Sequence, residues 1–292
     1  MAIGPKSHDE QFEAQQPPLA ALSTISPAVL TLTPVSTPAL ASWVTRSWAF
    51  SQKMAIQILE DSFAALAKSH GEFHSPIFDG IVDQNRFLKS SPRILWILKE
   101  PWEKLQSGER GGDWSLTSLL LNGEFTTNKG TYPPMAYVSF SVANGFMKCS
   151  EIPYLSEDPA VRDALRTLAY INVKKFPGTT ISSGRDIYTY YERYKEFLHD
   201  QIEAIAPQVI IYGGTFHLFR ERLRLDNFAS LSGGPEYVTK GGILHISAYH
   251  PNQRTISTER YVDGIIETIR REQKGGTPTP FAPVTGAGSP GG

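Results

Sequence analysis

Arg93-Ile-Leu-Trp-Ile-Leu98, followed by Lys99-Glu100-Pro101-Trp102, decides how this chain is read. An unbroken apolar run after Pro92 is the pattern of a strand buried on both faces, as in a parallel sheet. The abrupt change to charged, proline-containing sequence marks its carboxyl end. Three later runs repeat the form. Leu168 to Val173 ends in Lys174-Lys175-Phe176-Pro177-Gly178, Val209 to Tyr212 in Gly213-Gly214, and Ile243 to Ala248 in Tyr249-His250-Pro251. Helical spacing fills the intervals at 159–166, 188–206, 216–225 and 258–270. An earlier helix is expected over 43–70, on Trp48, Ile56, Leu59, Phe63 and Leu66, with Gly71 as its stop. Strands alternating with helices predict an α/β fold around a four-stranded, mainly parallel sheet with right-handed crossovers. Such sheets bind ligands outside the carboxyl ends of their strands, where all four polar interruptions fall.

The 292 residues carry 28 Lys and Arg against 29 Asp and Glu, a formal net charge of −1, with 40% hydrophobic residues. Ten of the 21 prolines lie in 1–42 and 275–292. These read as a Pro/Ala/Ser/Thr-rich flexible arm and a disordered Gly/Pro-rich tail around one domain at 43–274. Near-neutrality excludes a strongly cationic nucleic-acid clamp but not a local basic patch. Cys149 is the only cysteine, which excludes intrachain disulfides, paired-cysteine zinc sites and a four-thiolate iron–sulfur cluster. The moderately apolar stretch 19–41 is broken by Pro27, Pro34 and Pro38 and reads as neither signal peptide nor membrane span. An intracellular protein is expected, cytoplasmic or nucleoid-associated and not secreted.

A G-x-G-x-x-G at Gly286, Gly288 and Gly291 follows no strand and opens no helix, so it reads as a decoy. No phosphate loop or G-x-S-x-G elbow occurs. Gly213-Gly214 admits a phosphate at a helix start with Thr215 as cap, or is simply a tight strand-to-helix turn. His245 and His250 are five apart, a poor spacing for a shared metal on one strand. Lys174-Lys175 and the arginines at 220, 222 and 224 can meet phosphates or form a solvated face. Three features carry more. Glu100-Pro101-Trp102 sets a carboxylate just past a buried strand, stiffened by proline and followed by a large ring. Asn172 places an amide, donor and acceptor together, at the end of an apolar run. His250-Pro251 puts an imidazole at another strand end, able to donate to a developing anion.

In this order, these features resemble the uracil-DNA glycosylase superfamily, over residues 93–270. The resemblance implies a three-layer α/β/α sandwich and a monofunctional DNA glycosylase acting on a flipped uracil or modified pyrimidine, in base excision or in defence against phage DNA. It makes Glu100 the water-activating residue, Asn172 the base reader, Trp102 the pocket wall and His250 the closing histidine. Phe140, within 133–145, is the candidate to stack on the base and is equally a core residue. Lys174, Lys175, Arg254 and the Gly213-Gly214 turn are the implied DNA contacts. The chain departs from the pattern in having Glu100 for aspartate, Trp102 for tyrosine, and Asn252-Gln253-Arg254 where a serine and an apolar wedge are usual. It lacks the cysteines of the iron–sulfur branches. The implied protein is a monomer that needs DNA but no metal or cofactor. Two rivals stay open: an inactive member that binds nucleic acid or a partner, and a nucleoside or sugar-phosphate enzyme using Gly213-Gly214.

Overall fold

A computed structural model describes residues 38–125, 130–179, 182–231 and 233–275. Most of the expected arm, and the tail with its glycine motif, lie outside them. The chain divides into two units, 1–43 and 44–292, and the sheet belongs to the second. The expected apolar runs form β2 (Ile94–Leu98), β3 (Ala169–Asn172), β4 (Val209–Gly213) and β7 (Ile243–Ala248). They are mutually parallel in the spatial order β3-β2-β4-β7. Burial of every β2 residue explains the unbroken apolar run, because each side chain meets a helical layer whichever way it points.

The sheet is wider than the four strands expected. Three antiparallel strands, β1 (Gly80–Ile81), β5 (Ala229–Ser230) and β6 (Glu236–Lys240), make it a mixed seven-stranded sheet of order β1-β3-β2-β4-β7-β6-β5. β1 and β5 are two residues each, too short for a period-two pattern to register. β6 reaches β7 through Gly241 and Gly242, with φ of 59° and 79°. Two successive positive φ values are what a tight hairpin turn asks of its residues.

Helices cover both faces. On the Trp96 face lie α3 (Leu116–Asn122), α4 (Tyr132–Ala143), α5 (Pro159–Asp163) and α8 (Thr258–Gly275), packed on Ile94, Trp96, Leu98, Ile211 and Ile246. On the other lie α2 (Gln84–Lys89), α6 (Gly184–Ile205) and α7 (Phe216–Phe219), packed on Leu95, Ile97, Ile171 and Tyr212. α1 (Pro38–Ser69) begins five residues ahead of the expected helix, so residues 38–42 are not part of an irregular arm. A proline at the first helical position supplies the helical φ and needs no N–H partner. α1 turns Phe63 and Ala67 onto Phe176 and Tyr194 while Leu66 stays exposed, so its buried face is narrower than its apolar spacing suggests. α7 stops short of the expected residue 225, and Arg224 takes a left-handed φ of 50° in the turn after it. No helix among the described residues is long and apolar enough to cross a membrane.

Two histidines are built into this frame. His245 on β7 accepts at Nδ1 or donates to Tyr212 Oη at 2.9 Å, and His199 on α6 contacts Tyr191 Oη at 3.2 Å through Nε2. Burial, then the cations Lys240 and Arg222 respectively, lowers each to about 4. A histidine depressed below its unfolded value of 6.5 stabilises the fold above that pH, and the contribution is lost as pH falls toward 4. Glu60 opposes them: burial and Asp79 raise it to about 7, so its contribution is full below its unfolded value and is lost as pH rises through 7. The contribution of these two imidazoles is lost between pH 6.5 and 4.5, so over that interval the thermal midpoint of the wild type is expected to drop relative to a chain that lacks them. The double variant His199→Gln/His245→Gln should show a shallower decline in the same scan.

Candidate functional site

The carboxyl ends of the four parallel strands are joined by backbone hydrogen bonds. The β2–β3 ladder continues past both strands, with Val173 N–H donating to Leu98 O (3.0 Å) and Lys174 N–H to Lys99 O (2.9 Å). It resumes where Gly178 N–H donates to Pro101 O (2.7 Å), pairing Trp102 with Gly178 in a parallel bridge. Glu100 lies between these rungs. Its side chain is 5% exposed and pairs with Lys174 Nζ at 3.1 Å, and Lys174 also pairs with Asp186 at 2.8 Å. Burial pulls the Lys174 ammonium down, but Asp186 and Glu100 together more than offset this, leaving it raised. Glu100 occupies the space a side chain at residue 178 would need: a Cβ on Gly178 would fall 2.2 Å from its carboxyl carbon.

A second junction joins β4 to the loops after β2 and β7. Gly214 N–H donates to Ala248 O (2.8 Å), and Thr215 Oγ1 donates to Ile97 O (2.8 Å). A Cβ on Gly213 would meet Leu98 Cδ2 at 2.2 Å and Pro251 Cδ at 3.1 Å. Both glycines thus serve a tight strand-to-helix turn, and Gly214 has a φ of +76°. Thr215 is spent on the β2 carbonyl and makes no side-chain cap to α7.

Asn172, the last residue of β3, is 0% exposed. Its Oδ1 accepts from Tyr170 Oη at 3.3 Å, its backbone N–H donates to Asp79 Oδ2 at 2.7 Å, and its Nδ2 has no partner. A buried unpaired donor costs ~1–3 kcal/mol, so this amide is primed for an acceptor. His250 accepts at Nδ1 from the Asn252 N–H (3.2 Å), which assigns the proton to Nε2. Burial, then Lys99, lowers the imidazole to about 4, so it is neutral at pH 7 and donates through Nε2. The loop beyond is tied by Gln253, whose Oε1 accepts from the Thr255 and Ile256 N–H groups at 2.6 and 2.9 Å. Arg254 is exposed at its tip.

The remaining expected residues are placed as follows. Trp102 is 60% exposed beside Glu100. Phe140 is half-buried on α4 and packs against the Trp96-face core. Lys175 corrects the expectation of a DNA contact: it is 3% exposed, and its Nζ donates to Asp79 Oδ1 (2.5 Å) and Gln201 Oε1 (2.8 Å), so no phosphate reaches it. Arg222 pairs with Glu196, and Arg220 lies over the Phe228 ring at 4.6 Å. Two residues were missed. Asp79, 93 positions before Asn172, anchors its backbone, and nothing local to Asp79 signals it. Lys99 adjoins the site residue Glu100, and its Nζ lies 3.9 Å from the Cβ position of Gly214, close to His250. Its position next to Glu100 was the available signal. Among the described residues no cluster of three or more His, Cys, Asp or Glu could hold a metal. Neither a family model nor a curated protein matches the sequence.

The arrangement can hold a carboxylate, an amide donor and a neutral imidazole donor at one edge of the sheet, with Lys99 adding positive potential. Two results are expected. Gly178→Ala lowers stability by about 1–3 kcal/mol, the usual cost of overpacking, and adding Glu100→Ala recovers most of it in chemical denaturation; a simple sum of the two losses would show no contact. Lys99→Met raises the His250 titration from about 4 toward its ordinary 6.5 in an NMR pH series, only in part because burial is the larger cause.

Proposed function

We propose that this chain is a monofunctional DNA glycosylase of the uracil-DNA glycosylase-like type, with β3-β2-β4-β7 and the helices on both faces as its three-layer sandwich. One observation carries the reading: Glu100, the unpaired Nδ2 of Asn172 and the neutral His250 stand at the carboxyl ends of three of the four parallel strands. A base must leave the stack before its glycosidic bond is accessible, which costs a few kcal/mol. Asn172 Nδ2 then donates to a carbonyl on the base edge, with Trp102 beside the entrance. As the bond lengthens, negative charge gathers on the base, where His250 Nε2–H donates and the Lys99 ammonium lowers the potential. Positive character on the sugar is offset by Glu100, which orients the attacking water. Uracil or a modified pyrimidine fits these roles.

The same burial favours a second reading. Asn172 is fully enclosed and Glu100 is ion-paired, so a base reaches Asn172 only if covering side chains shift. A protein that binds DNA without cleaving it would retain this enclosed state.

Base release from oligonucleotides containing uracil or modified cytosines, followed by chromatography of the free base, separates the two. Glycosylase activity predicts release by the wild type and a loss of about 100-fold or more in Glu100→Gln and in Asn172→Ala, the usual scale for removing a general base or an anion-stabilising donor. DNA binding that survives Glu100→Gln, with no base released from any substrate, would establish the non-cleaving reading.

A further inference from the structure

We infer that the cavity beside the His250 loop is a second nucleotide subsite, holding the neighbour of the extruded nucleotide with its ring on Tyr249 and its phosphate on Arg260. The assignment rests on the glycosylase reading. The cavity measures about 460 Å³ and lies between residues 233–236, the end of β7 and the first turns of α8. That volume falls within the ~300–1,000 Å³ of small-ligand sites.

Tyr249 immediately precedes His250. Its carbonyl accepts from Tyr261 Oη at 2.7 Å, which fixes its backbone, while its side chain leaves the residue 53% exposed. An open ring on an anchored backbone is a stacking platform for any base. Arg260 lines the same cavity. Its backbone N–H donates to Ser257 Oγ (3.2 Å), and its guanidinium lies over Gly233, where a Cβ would come within 2.9 Å of Nη2. That guanidinium is in no ion pair among the described residues. Its planar fork of donors matches a phosphate. Glu236, paired across the hairpin with Ser247, also lines the cavity. A carboxylate there accepts from an exocyclic amine, which cytosine, adenine and guanine carry and thymine lacks, so the site favours those three bases. Consecutive residues, Tyr249 and His250, thereby serve consecutive nucleotides.

The test is fluorescence anisotropy on the full chain with a single-stranded oligonucleotide carrying a fluorinated deoxyuridine, and in a parallel arm with free deoxycytidine monophosphate as competitor. Arg260→Ala is expected to weaken oligonucleotide binding about tenfold and to reduce the slope of log affinity against log salt by ~0.7, the release of one phosphate contact on a single strand. Tyr249→Ala is expected to weaken it by a similar factor, and Tyr249→Phe to restore it because the ring is what stacks. Wild-type affinity in both alanine variants overturns the subsite, as does a wild type that binds no oligonucleotide. Capture of the free monophosphate alone, with the same residue dependence, overturns its assignment to DNA. Residue-dependent oligonucleotide binding without base release leaves the subsite standing and removes the glycosylase reading; base release with unaffected alanine variants does the reverse.

Discussion

The ion pair between Asp79 and Lys175 is the constraint on which the edge of the sheet depends. Both side chains are almost wholly buried, at 1% and 4% exposure, and the groups meet at 2.5 Å. Burial alone pushes the carboxyl up and the ammonium down, and such a pair seldom stabilises a fold beyond what apolar residues of equal volume would. Its consequence is positional. Asp79 also accepts from the Asn172 backbone and from Gln201 Nε2 at 3.1 Å, so one carboxylate just ahead of β1 ties the end of β3 to the C-terminal part of α6. Asn172 sits where Asp79 holds it, and the loop that leaves β3 starts from a fixed point.

From that point the geometry passes through missing side chains. The loop reaches Gly178, which leaves the space that Glu100 fills. Across the sheet Gly213 leaves space for Leu98 and Pro251. A methyl at either position would fall about 2.2 Å from a neighbouring carbon, far inside contact distance. Close-packed interiors respond to such intrusions by shifting backbone rather than compressing. The three strand-end loops are therefore mutually positioned, and a displacement in one is transmitted to the groups carried by the others.

The parallel strands were legible because a strand buried on both faces is mainly apolar: β2 is so throughout, β3 and β4 nearly so, and β7 is interrupted only by His245 and Ser247. Glu100, Asn172 and His250 were legible as polar residues ending such runs. The short edge strands β1 and β5 carry too few residues for any period. β6 had a usable signal in the Gly241-Gly242 turn that precedes β7. Lys174 and Lys175 show what sequence withholds. Neighbours on an extended chain point to opposite sides, so one turns to Glu100 and the other inward to Asp79, but which is which depends on a partner 96 residues away. Asp79 itself is an ordinary aspartate until the sheet closes around it.

Charge is placed unevenly around the strand ends. Lys175 is neutralised internally by Asp79, and Lys174 is shared between Glu100 and Asp186, so neither adds to an outward field. Lys99 remains beside His250, where it adds to burial in lowering the imidazole and makes the surrounding potential positive. Arg254 and Arg260 stand exposed on the following loop and helix start. These three cations thus place positive charge at and around the His250 loop. With a Debye length of about 8 Å at physiological salt, only charges that close to a bound group act on it strongly. A few cations along one loop therefore exert more influence on an anion at the strand ends than the overall charge of −1 suggests.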